Sequence, residues 1–239
     1  MNRMKRLLCL GLIYYFCCLS MIVYGNEKTS PFYLAELKCE NLIDPLGIDN
    51  VTPHFSWKLK GDGWKGGQTY YEIQVAPDSI LLVQNKADLW NTGKLKSKTS
   101  VMVPYRGKTL TSRSLCYWRV RAKKQASSWS PVARFGVGIL DQSQMKGEYI
   151  GASVEGGKIC APILRKKVKL TQGETSFLHV NTLGYHEIYI NGRKVGEDVL
   201  TPAVSHLSKR SLIVTYDITP YLREGENDLL IWLGQGWYK

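Results

Sequence analysis

Four histidines, scattered carboxylates and seven tryptophans are the side chains of this chain with chemistry to offer. The histidines are His54, His179, His186 and His206. None stands in a His-Glu-x-x-His pattern, and none neighbours a cysteine at zinc-site spacing, so no metal site is expected. His179 and His186 fall on expected strands, where a histidine usually serves as an ordinary satisfied side chain. No Gly-x-Ser-x-Gly elbow or Walker-type phosphate loop occurs. The run Gly61-Asp62-Gly63-Trp64-Lys65-Gly66-Gly67 lacks the strand–loop–helix setting of a phosphate site and reads as a loop between strands. Glycosidic hydrolysis needs two carboxyls facing each other about 5–10 Å apart. Glu187, Glu197, Asp198 and Asp217 are available, but nothing in their spacing pairs them, and no catalytic acid is assigned. Among the aromatics, Trp57 and Trp118 alternate with apolar neighbours and read as core. Trp237 lies beyond the last strand, between glycine and tyrosine, and is the better surface for stacking on a sugar ring.

The side chains sit on a chain of 239 residues with a formal charge of +12, 44% hydrophobic and 22% charged residues, values of an ordinary globular protein. The clusters Lys94–Lys98 and Arg165-Lys166-Lys167-Val168-Lys169 fall at strand edges, where lysine discourages edge-to-edge pairing. A well-solvated surface therefore explains the charge better than nucleic-acid binding does. Residues 1–25 fit a secretory signal: Arg3, Lys5 and Arg6 precede an apolar run from Leu7 to Val23, and Val23-Tyr24-Gly25 offers a cleavage site. The run is short for a bilayer span of ~20 residues. Cys17-Cys18 lacks the small residues that precede a lipoprotein cysteine. After cleavage the chain is expected to be exported, without a membrane segment, to periplasm, cell surface or medium. Cys39, Cys116 and Cys160 then remain, with no metal-ligand spacing, and are expected as buried, apolar-behaving thiols.

Period-two alternation dominates the rest of the chain. Tyr71, Ile73 and Val75 form one face with Glu72 and Gln74 opposite; Cys116, Trp118, Val120 and Ala122 do likewise, and so do Phe55, Trp57 and Leu59. One short helix is expected at 78–85. Several short strands bounded by turn residues argue a β-sandwich over about 33–138. A boundary near 141–147 leads to a second set of strands: Ile163–Leu170, Ser176–Thr182, Tyr185–Ile190, Ser211–Ile218 and Asp228–Leu233. Asn191-Gly192 supplies a hairpin turn into Lys194-Val195. This set reads as part of a jelly-roll sandwich. The last residues read as an apolar strand entering a glycine turn with no closing element, so the chain is expected to be the front of a longer protein.

Several segments carry a resemblance. Asp44-Pro45-Leu46-Gly47-Ile48-Asp49, Pro53-His54-Phe55-Ser56-Trp57-Lys58-Leu59, the segments 68–76 and 88–94, and Cys116-Tyr117-Trp118-Arg119-Val120-Arg121-Ala122 resemble, in order, the opening of large bacterial α-L-rhamnosidases. Ala161–Lys166, Leu183-Gly184-Tyr185-His186-Glu187 through Gly196, Thr215–Thr219 and Leu233–Tyr238 resemble that family's N-terminal jelly-roll domain. The resemblance implies an all-β chain: a signal peptide (1–25), a fibronectin-III/immunoglobulin-like sandwich (26–140) and a truncated jelly roll (141–239). It also implies an inverting glycosidase that removes terminal α-L-rhamnose from plant glycans, with its two carboxylates on an (α/α)₆ barrel that these residues do not contain. This chain alone is therefore expected to be inactive and to lack its catalytic partner domain. Some relatives bind rhamnose through calcium on the jelly roll, and calcium prefers carboxylate and carbonyl oxygens. Here Thr201 and Val204–Leu207 depart from the family's acidic and aromatic pattern, so no cofactor is assigned. Asn191, Asp198 and Trp237 are the carbohydrate-contact residues that remain. The alternatives are a stand-alone secreted carbohydrate-binding or adhesion module, or a partner-docking domain whose open edge pairs with another polypeptide.

Overall fold

A computed structural model describes residues 33–61, 67–123, 128–152, 161–170 and 175–236. The expected signal segment, Cys160 and Trp237 lie outside the described residues. The alternating segments become strands. In the first sandwich β1 (Tyr33–Cys39), β2 (His54–Lys60) and β6 (Val103–Pro104) form one antiparallel sheet. The facing sheet has the order β4 (Trp90–Asn91), β3 (Tyr70–Ala76), β7 (Leu115–Lys123), β8 (Ala133–Gly136), and β5 (Leu95–Lys96) also pairs β3. Between them Phe55, Trp57, Ile73, Val75, Trp118, Val120 and Phe135 are buried. Phe55 lies 4.4 Å from Trp118 and 5.6 Å from Phe135, ring centre to ring centre. Such aromatic pairs add about 0.5–1.5 kcal/mol each beyond area burial. The Trp57 indole donates to Gln68 Oε1 at 3.1 Å, which satisfies a polar atom in an otherwise apolar core.

Alternation misjudges one face. Glu72 and Gln74 oppose the apolar residues of β3, yet both are buried. The helix α1 (Ser79–Val83), where a helix is expected, packs against β3 and β7; Asp78 caps it by accepting from Ile80 N at 2.8 Å. Beneath this cover Arg119 donates Nε and Nη2 to Gln74 Oε1 at 3.0 and 2.8 Å, and Nη2 to Asn85 Oδ1 at 2.7 Å. Arg121 pairs with Glu72 at 2.6 Å, and the Trp129 ring stacks on both guanidinium groups. The polar face is buried because it satisfies itself.

Asp141 accepts from Ser143 N and opens a 3-10 turn at Gln142–Gln144, which falls in the expected boundary. In the second sandwich β12 (Arg193–Lys194), β11 (Tyr185–Ile190), β14 (Gly225–Gly234) and β9 (Ile163–Leu170) form a sheet in that order. Among the described residues β10 (Phe177–Asn181) and β13 (Ile213–Asp217) form the second sheet, facing it. Val180, Ile188, Ile190, Val195, Tyr216 and Ile218 form its core. The bounds of β9 and β11 coincide with those expected, while β14 starts earlier than Asp228. The architecture is all-β: an immunoglobulin-like sandwich followed by a sandwich of jelly-roll type. β9 is an edge strand, and Arg165 and Lys167 on it pair with Asp228 and Glu226 at 2.7 and 2.8 Å. The lysine-rich segments therefore lie on edge strands, as read.

The sandwiches touch. Arg134 Nη1 pairs with Asp217 Oδ2 at 3.1 Å, and the Tyr149 hydroxyl donates to Asn181 Oδ1 at 2.6 Å. Gly47, at φ 76°, packs so closely on Thr215 that an added Cβ would stand 2.6 Å from its Oγ1.

Candidate functional site

The residues singled out for carbohydrate contact occupy different settings. Asn191 and Gly192 adopt φ 51° and 79°, the left-handed pair of a two-residue hairpin turn between β11 and β12. The Asn191 amide is fully engaged. Its Nδ2 donates to Tyr221 O at 3.0 Å and to Asn227 Oδ1 at 2.8 Å, and its Oδ1 accepts from Asp228 N at 3.1 Å. Asn227, wholly buried, donates onward to the Arg223 and Gly225 carbonyls. Asn191 thus locks the turn to the start of β14. Asp198 is exposed on the long loop that follows β12. No hydrogen bond joins it to Asn191 among the described residues. Trp237 lies outside them; the exposed indole of the second sandwich is Trp232, 45% accessible, on the outer face opposite Glu187.

The loop carrying Asp198 is tied down from below. Leu200 takes φ 54° and Thr201-Pro202 is a cis peptide bond. The Thr201 carbonyl accepts from His186 N at 2.8 Å. The His186 ring is buried, sharing hydrogen bonds with Thr182 Oγ1 at 2.7 Å on Nδ1 and with the Tyr216 hydroxyl at 2.9 Å on Nε2. Burial lowers its pKa below 6.5, against a smaller opposite pull from the Asp198 carboxylate. Burial likewise raises the Tyr216 hydroxyl. His186 is a satisfied core histidine, as its strand position implied, and it anchors the loop base. Above it a shallow groove runs past Gly184, Tyr185, Pro202, Val204, Leu207 and Gly236. Its lining is apolar and backbone in character, with no carboxylate among the described residues. No three His, Cys, Asp or Glu side chains converge on a metal-sized site among the described residues.

The buried network of His186, Thr182 and Tyr216 was not visible in the sequence as a unit. Its one signal was parity: His186 shares the inward face of β11 with Ile188 and Ile190. Trp232 was likewise available from the alternation of β14, on the face opposite Leu229, Ile231 and Leu233.

Together the two sandwiches, joined in this order, define a tandem β-sandwich protein. The model of the Rha78A-like, N-terminal immunoglobulin domain matches residues 34–141, and that of the alpha-L-rhamnosidase N-terminal domain matches residues 171–239. The chain belongs to the N-terminal region of the α-L-rhamnosidase family. An alpha-L-rhamnosidase of Formosa agariphila is 34% identical over 221 residues, which is 82% of this chain and 23% of that protein. One from Alteromonas is 31% identical over 243 residues, 96% of this chain and 26% of that protein. The solved alpha-L-rhamnosidase of Dictyoglumus thermophilum superposes with a TM-score of 0.77 at 32% identity, covering 86% of this chain and 25% of that one. The Aspergillus terreus enzyme, at 24% identity and a TM-score of 0.71, shares the fold. The chain thus spans about a quarter of the length of these relatives.

Proposed function

We propose that this chain serves as the non-catalytic N-terminal part of a secreted α-L-rhamnosidase that acts on rhamnose-containing glycans. The observation that carries the proposal is the collinear match of both sandwiches to relatives named alpha-L-rhamnosidase. Residues 1–25 are the proposed export signal, 26–140 and 141–239 the two modules, and the catalytic carboxylates are supplied by polypeptide beyond this sequence. Within the second module, Asp198 on its anchored loop and Trp237 are the proposed sugar contacts, with Asn191 holding the turn between β11 and β12. The test is the reading frame after the Lys239 codon, together with release of phenol from an aryl α-L-rhamnoside. Residues 26–239 alone are expected to release none, and the extended polypeptide is expected to turn over. Hydrolysis by residues 26–239 alone, or a downstream frame with no helical barrel, would overturn the proposal.

A further inference from the structure

Where the two sandwiches meet they leave a cleft of about 1120 Å³ that neither core nor loop groove uses. Arg113 comes from the turn before β7; Ser143 and Gln144 come from the 3-10 turn and Lys146 from the segment after it; Phe177 and His179 come from β10. Two permanent cations therefore line it, and no aspartate or glutamate is among the lining residues. Domain junctions of this size are common places for small-ligand sites.

Three details make the lining more than a gap. Arg113 takes a left-handed backbone at φ 65°, its N donates to Gly138 O at 3.0 Å, and its Nη2 donates to Gln144 O at 2.6 Å. Among the described residues the guanidinium is tethered by one nitrogen, with its other donors free of a protein partner. His179 commits Nδ1 to Thr215 Oγ1 at 2.9 Å, which leaves Nε2. Gln144 Oε1 is buried without a hydrogen-bond partner among the described residues. Phe177 and Met145 add an apolar wall against which a ring C–H face can lie.

We propose that this interdomain cleft binds an acidic saccharide, with Arg113 and Lys146 holding its carboxylate or sulfate ester and Phe177 and Met145 flanking its ring. The oxyanion half of the proposal rests on the lining alone; the saccharide half rests on the rhamnosidase reading. Guanidinium and ammonium groups hold oxyanions by charge-assisted hydrogen bonds, the guanidinium with the more directional geometry.

Calorimetric titration of residues 26–239 at low ionic strength tests it, with trigalacturonate, inorganic sulfate and neutral L-rhamnose as probes. Trigalacturonate is expected to saturate, and Arg113→Gln to weaken it about tenfold, the worth of one charge-assisted hydrogen bond. Lys146→Gln, on an exposed side chain, is expected to weaken it several-fold while leaving the melting temperature unchanged. It keeps the test decisive if Arg113→Gln disturbs the turn. Saturation by sulfate but not by trigalacturonate would overturn the saccharide assignment. Absence of saturation by either, or equal affinity in the wild type and Lys146→Gln, would overturn the site. Rhamnosidase turnover does not enter this readout, so failure of the cleft and failure of the proposed function are told apart.

Discussion

His186 is held neutral by its surroundings, and that gives the second sandwich a pH dependence with a definite sign. Burial lowers its pKa below the unfolded value of 6.5, so the unfolded chain binds the proton more readily. Stability from this group is complete above that value and falls as pH drops through 6.5 toward the lowered folded value. His179 is lowered by burial too, with a further push from Arg113, and acts in the same direction. Urea melts at pH 7.5, 6.5 and 5.5 are expected to show declining stability. His186→Gln should flatten part of that slope, because glutamine offers Thr182 and Tyr216 a donor and an acceptor without titrating. An unchanged slope in the variant would show that other groups set it. Glu36, held down to about 2 by Lys58 and Lys60, loses its contribution only at far lower pH and does not confuse the window. At this scale the sequence was partly legible. Parity put His186 inside, but no spacing rule joins positions 182, 186 and 216. Asn191 was legible as a turn residue; that its amide is engaged with Asn227 depends on how β14 starts.

Among the elements, the closure of β11 against the end of β14 is unusually tight. A Cβ on Gly184 would run into the Gly234 carbonyl and stand 2.8 Å from the Gln235 carbonyl. Both obstacles are backbone, so the strand ends must separate to admit it. Gly184→Ala is expected to destabilise the chain by about 2 kcal/mol or more, read as a lower urea midpoint. Gly192→Ala, where nothing stands within 4 Å, should cost about 1 kcal/mol for its left-handed backbone alone. Equal costs at the two positions would refute the close-approach argument. Strand bounds such as 163–170 and 185–190 were legible because one face is apolar and the ends carry turn residues. The buried outer face of β3 was not, because Glu72 and Gln74 read as solvent-facing until α1 and Trp129 cover them.

At the scale of the molecule, the two sandwiches touch at Arg134–Asp217, at Tyr149–Asn181 and at Gly47, and among these Gly47 is the most exacting. Its left-handed φ and the contact with Thr215 leave no room for a methyl group. Gly47→Ala is expected to uncouple the units, so that one calorimetric transition splits into two. Adding Thr215→Ala should recover the steric part and leave about 1–2 kcal/mol for the backbone conformation plus about 1 kcal/mol for the lost hydrogen bond between Thr215 Oγ1 and His179 Nδ1. A single unaltered transition in Gly47→Ala would show that this contact carries no coupling. The family was legible from collinear motifs and the two-sandwich plan from strand rhythm. The interdomain cleft was not, since Arg113 and His179 are brought together only by how one sandwich sits on the other.

Cys39 and Cys116 are buried unpaired thiols of the first sandwich, and burial raises both above the usual thiol range, Cys116 to about 11. Only the thiolate is an effective nucleophile, so in the closed sandwich both are shielded twice, by access and by protonation. Their alkylation therefore has to wait for the sheets to part. In residues 26–239 with Cys160 replaced by serine, the rate of thiol labelling under native conditions becomes an internal stopwatch for the breathing of the first sandwich. It runs without denaturant and reports on that half of the chain alone.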